Sequence, residues 1–175
     1  MRQIALKYGI IGGALITIPL FIVIPNIDSI GFDKGITILF VSMIVSFISV
    51  FLGIGSVRKN VGGGFIGFRM ALITGIIITV ITSVFYVIAS MLLFYVISPE
   101  FNKNYNAFIV SQMQAMHRPP DEISKFSADA TKQLSNKNLI LYAALILIKP
   151  IMLGIFFTIP STFILRKREF PTRLN

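Results

Sequence analysis

Four stretches of this chain are nearly unbroken runs of apolar residues, and the polar positions gather between them. The runs cover about 6–24, 36–57, 71–97 and 139–165. A bilayer hydrocarbon core of roughly 30 Å is crossed by about 20 helical residues, so each run is long enough to span it. The period-two alternation of a membrane β-strand is absent, which predicts an all-α, polytopic four-helix transmembrane bundle forming one membrane domain over 1–175. Pro19, Pro150 and Pro160 fall inside the runs. Membrane helices tolerate them because neighbours re-satisfy the freed backbone groups. Arg2 and Lys7, at the start of the first run, resemble the start of a signal peptide. No small-residue cleavage site follows before Ile24-Pro25-Asn26, so a retained first span is expected.

The third and fourth runs are each 27 residues long. Counting one membrane thickness from their charged ends leaves overhangs at Ser90–Ile97 and Leu139–Ile146, which are expected to pack together beyond the membrane, tilt being the alternative. Between them, 98–138 is the one sizeable polar segment. Ser98-Pro99-Glu100 reads as a helix start, with a hydroxyl cap and proline in the first turn. Phe101, Tyr105, Phe108, Met113 and Met116 follow at helical spacing, until Arg118-Pro119-Pro120 breaks the pattern. A second helix is predicted from Asp121 to about Ser135, with Ile123, Phe126, Ala130 and Leu134 on one face. The pair predicts a small extracytoplasmic helical hairpin between spans 3 and 4.

Charge sharpens this picture. Only 13% of the 175 residues are charged, about half the usual share of a soluble domain, and there is no Cys, no Trp and one His. That excludes a soluble globular protein, a disordered tail and a disulfide-stapled module. The net charge of +9 is unevenly placed. Arg2, Lys7, Arg58, Lys59, Arg69, Arg166, Lys167, Arg168 and Arg173 flank spans on one side with a single acid, a net +8. The other side balances six basic residues against six acids, and Lys149 is the remainder. Basic residues favour the cytoplasmic side, so both termini are expected there, with Arg58, Lys59, Arg69, Arg166, Lys167 and Arg168 as cytoplasmic anchors. No nucleic-acid partner is expected, because the basic residues flank spans instead of forming a stripe with interleaved aromatics.

Candidate chemistry is sparse. Small and hydroxyl residues recur at spacing four: Gly9, Gly13 and Thr17; Ser42, Ser46, Ser49 and Gly53; Ala71, Gly75, Thr79 and Thr82; Gly154, Thr158 and Thr162. They read as helix-packing stripes, or alternatively as the lining of a polar path. Apart from Lys7 at the edge of the first run, Lys149 is the only charged residue inside a span, and it precedes Pro150, so Lys149 and Pro150 are the candidate intramembrane functional residues. They invite a substrate or anion contact. Against that, a lysine about one turn inside the outer boundary can simply snorkel outward. Val61-Gly62-Gly63-Gly64-Phe65 lacks the Gly-Lys-Ser/Thr ending of a phosphate loop and reads as a flexible turn. Met113, Met116 and His117 offer soft ligands, but without Cys or a second His no metal and no cofactor is expected. No nucleophile–base pair is visible either, so no catalytic residues are expected.

Several of these features occur together: Leu6-Lys7-Tyr8-Gly9, the Gly53-Ile54-Gly55-Ser56-Val57-Arg58 turn, the Gly-rich stretch to Phe68, and a kinked last span before a basic tail. In this the chain resembles a family of small bacterial inner-membrane proteins classified as a domain of unknown function. Val57 stands where that family often has Tyr, and Lys149 where it often has an acid before the proline. The resemblance implies a multi-pass protein of the bacterial cytoplasmic (inner) membrane with four spans and a long loop between the last two. It implies no activity. The expected function is a non-enzymatic accessory, assembly or structural subunit, in contact with the lipid bilayer and with a membrane-protein partner or as a homo-oligomer. The alternative is a small transporter or channel subunit acting as an oligomer.

Overall fold

The computed structural model describes residues 1–135 and 139–166. The side chain of Leu134, and all of Lys167, Arg168 and Arg173, lie outside the described residues. Seven α-helices follow in order: α1 Arg2–Val23, α2 Ile27–Ile30, α3 Phe32–Asn60, α4 Phe68–Leu92, α5 Phe101–Ala115, α6 Pro120–Ser135 and α7 Leu139–Leu165. Four of them, α1, α3, α4 and α7, are long and apolar enough to cross a membrane, and each covers most or all of one of the apolar runs, the third run ending in the turn Leu93–Ile97 that continues α4. Together they form an all-α bundle of membrane-spanning type.

The central pair, α3 and α4, is flanked by α1 on one side and α7 on the other. Two apolar clusters fill the interior. One surrounds Phe47, Val50, Ile54, Val57 and Ile78 and includes Ala5, Ile66 and Leu165, so the start of α1 and the end of α7 lie beside the α3–α4 turn. The second, at the opposite end, joins Ile16, Leu20, Ile24, Ile27 and Leu93 to Phe101 of α5.

The connections are hydrogen-bonded turns. Gly31 lies at φ 84° between α2 and α3, donating to Ile27 O at 2.8 Å, where a side chain would be strained. The Gly62-Gly63-Gly64 run, read from sequence as flexible, folds back on the end of α3. Gly62 N–H donates to Val57 O and Gly64 N–H to Arg58 O.

At the far end α4 widens into a π-helical turn, Leu93–Ile97, and Ser98 N–H closes on Leu93 O at 2.6 Å. Here the overhangs of spans 3 and 4 meet. Tyr95 and Tyr142 pack edge to face at 5.6 Å, and Asn102 Nδ2 donates to the Tyr142 hydroxyl at 2.8 Å. Helix α5 begins at Phe101, two residues later than the Ser98 cap predicts, and no side chain caps it. The Ser98 carbonyl, not its hydroxyl, takes the Phe101 N–H. Aromatic stacking fixes the cap to the bundle: Phe32 lies 5.2 Å from Phe108 and 6.0 Å from Phe101, and Phe94 lies 5.4 Å from Phe101. Helix α6 returns against α5 with Ala130 buried and Ile123 and Phe126 half-buried, giving the hairpin that the sequence predicts.

Candidate functional site

The buried polar side chains of the spans gather where glycines let helices approach. On α1, Gly9 faces Ile81 and Gly13 faces Phe85 of α4; a Cβ on either would lie 2.6–2.7 Å from the opposing side chain. Gly12, one position off the stripe, faces both neighbours. A Cβ there would sit 2.5 Å from Ser49 Oγ and 2.7 Å from Thr82 Oγ1. The exposed backbone is used: Ser46 Oγ donates to Gly12 O at 2.6 Å and Thr82 Oγ1 to Gly9 O at 3.2 Å.

A second node joins α4 to α7. Gly75 lies against Thr158, Gly154 lies against Thr79 and Phe47, and the Thr79 and Thr158 hydroxyls are 3.3 Å apart. Small residues at such crossings allow close van der Waals packing, and hydroxyls between helices add about 0.6 kcal/mol each on average. Ser42 behaves differently. It is half-buried and bonds its own helix, at Leu39 O. Ser49, Ser83 and Thr162 are buried with no hydrogen-bond partner among the described residues, and the buried Ser90 has the Tyr86 hydroxyl beside it.

Lys149 is exposed on α7, beside the half-exposed Ile148, while Pro150 is buried. Sixteen residues of helix separate Lys149 from Leu165, about 24 Å along the axis. With Leu165 at one edge of a core of roughly 30 Å, the ammonium lies near the opposite edge and can extend into the headgroups. The structure therefore does not bring Lys149 to the small and hydroxyl residues inside the bundle.

The described members of the basic set that flanks the spans share one end of the molecule. Arg58 is half-buried, and its Nη1 donates to Leu165 O at 3.4 Å, so it bridges the ends of α3 and α7. A cation against the last carbonyls of a helix also complements the helix dipole. Lys59, Arg69 and Arg166 are exposed there. All six described acids lie at the other end or in the cap: Asp28, Asp33, Glu100, Asp121, Glu122 and Asp129. Two of them form exposed ion pairs, Glu100–Lys103 at 3.5 Å and Glu122–Arg118 at 3.8 Å.

His117 has a structural role. It lies at φ 54°, with its N–H on Gln114 O and the Arg118 N–H on Met113 O, both at 3.0 Å. That is the reverse turn that closes a helix in the left-handed conformation, usually at glycine. No cluster of three His, Cys, Asp or Glu side chains exists among the described residues.

Sequence reasoning passed over Gly12, Thr74, Ser83, Ser90 and Ser161, all of which are buried. The available signal was spacing three as well as four, since an interior helix meets two neighbours on faces about 100° apart.

No curated protein and no solved structure matches the chain. Residues 7–167 match the family described as Protein of unknown function (DUF4199), and the chain belongs to that family.

Proposed function

We propose that this membrane protein is a non-enzymatic accessory or assembly subunit of the bacterial cytoplasmic membrane, with both termini in the cytoplasm. The observation that carries the reading is the use of the intramembrane polar groups. Ser46, Thr79, Thr82 and Thr158 spend their hydroxyls on neighbouring helices, and Gly9, Gly12, Gly75 and Gly154 face side chains at close range. Such contacts hold helices together and leave little for a substrate to meet.

The orientation is supported by the basic end with its exposed Lys59, Arg69 and Arg166. Helix α7 supplies the surface for assembly. Within the bundle it packs chiefly on α3 and α4, leaving Met152, Phe156 and Ile164 67–69% exposed. A transporter or channel subunit, the other reading of the sequence, drew on Lys149 and the hydroxyl stripes. Lys149 turns outward and the stripes are largely occupied in packing, so neither favours it.

Chemical cross-linking in native membranes, followed by mass spectrometry, tests the proposal. A reproducible adduct to another membrane protein or to a second copy is expected. A strictly monomeric protein with no reproducible adduct contradicts it.

A further inference from the structure

Between α4 and α7, on the face that opens sideways, runs a groove of about 240 Å³. Leu72, Ile76 and Val80 form one wall and Ile151, Ile155 and Ile159 the other. Ile76, Val80, Ile155 and Ile159 are each 44–47% exposed, so the groove is open along its length. From Leu72 to Val80 it extends about 12 Å. The only polar groups on its walls, Thr79 and Thr158, face each other at 3.3 Å and ask for no further partner. In a chain that spans a membrane this groove faces hydrocarbon, so its occupant is an apolar chain.

The groove also has a charged end. Arg69, Leu72, Ile76 and Val80 follow at spacings of three and four, which places Arg69 on the same face of α4 one turn beyond the groove. Arg166 lies just past the end of α7, where its N–H still donates to Thr162 O at 3.0 Å. It follows Ile155 by eleven residues, three helical turns, so its backbone continues that face. Phe68 and Phe163 pack at 5.5 Å and join the two helix ends there. Both arginines are exposed, and neither forms an ion pair among the described residues. No described acid lies at this end.

We propose that the α4–α7 groove and the Arg69 and Arg166 side chains form a binding site for one anionic phospholipid. An acyl chain lies along the groove and the phosphate meets the two guanidinium groups. Arginine suits this role because its planar fork pairs phosphate oxygens two at a time. The site is independent of any protein partner, because it needs only this chain and the leaflet at its basic end.

The test uses the full chain purified in mild detergent, with phosphatidylglycerol and phosphatidylcholine added separately and counted by native mass spectrometry. One phosphatidylglycerol per chain is expected, held at least tenfold more tightly than phosphatidylcholine. Replacing Arg69→Gln and Arg166→Gln together weakens phosphatidylglycerol binding about thirtyfold, at about 1 kcal/mol for each basic residue. The charge-matched pair Arg2→Gln and Lys59→Gln changes it less than about threefold. Ile76→Phe, which fills the open groove from an exposed position, weakens both lipids. Equal losses from the two charge pairs, no preference between the lipids, or unchanged binding in Ile76→Phe would each overturn the proposal.

Discussion

Adding a single methyl group at two glycines should move stability in opposite directions. Gly12 and Gly55 both lie inside long helices, α1 and α3. At Gly12 the new Cβ would be 2.5 Å from Ser49 Oγ and 2.7 Å from Thr82 Oγ1, with Ser46 O at 3.2 Å. Ser49 has no bond to lose, but Thr82 is held by Gly9 O, and the Ser46 carbonyl belongs to the rigid backbone of α3. Overpacking of this kind costs about 2 kcal/mol, and losing the Thr82 bond about 0.6. The better helix propensity of alanine returns about 1, which leaves Gly12→Ala destabilised by about 1.5 kcal/mol. At Gly55 the nearest atom is Leu165 Cδ1 at 4.0 Å, ordinary contact. There the propensity gain stands alone, and Gly55→Ala should be more stable by up to about 1 kcal/mol. The two variants then differ by a factor of about seventy in the folding equilibrium. Reversible unfolding of the purified protein in mixed micelles, titrated with denaturing detergent, measures both. Equal shifts, or a stabilised Gly12→Ala, would refute the close approach of α1 to α3 and α4.

Other consequences are equally specific. A double-mutant cycle on Thr79→Val and Thr158→Val should give a coupling of about 0.6 kcal/mol, and zero coupling in micelle unfolding would contradict the 3.3 Å pair. Lys149→Met, on an exposed position, should change stability by less than about 0.5 kcal/mol in the same assay; a loss above about 2 would mean a buried, partnered ammonium. Phe32→Ala removes the ring that stacks on Phe101 and Phe108, so α5 and α6 should exchange amide hydrogens faster while the bundle interior stays protected. His117→Gly relieves a left-handed residue and should slow exchange at the Arg118 amide, with up to about 1 kcal/mol gained locally.

Much of this architecture is legible in the residue pattern because membrane physics leaves few options. A run such as 36–57 has no charge, so it must be covered by lipid or protein, and α3 contains it entire. The cap was legible for the same reason, since the apolar positions of 101–116 repeat with helical period and a Pro-Pro pair separates them from the next set. What the pattern concealed depends on tertiary contact. Ser42 and Ser46 share a stripe, yet Ser42 bonds its own backbone and Ser46 reaches Gly12. Gly12 lies off the spacing-four series because it meets two helices at once. His117 resembled a ligand and serves as a helix stop, which only its backbone angle reveals. Arg58 looked like an interface anchor alone, and its bond to Leu165 O spans more than a hundred residues of sequence.

The claim that this bundle serves assembly is tested most directly on α7. A photoreactive benzoylphenylalanine at Phe156, 69% exposed on the outermost helix, should capture a discrete protein partner or a second copy when native membranes are irradiated. Capture of lipid alone at Phe156, repeated at Met152 and Ile164, would contradict the account.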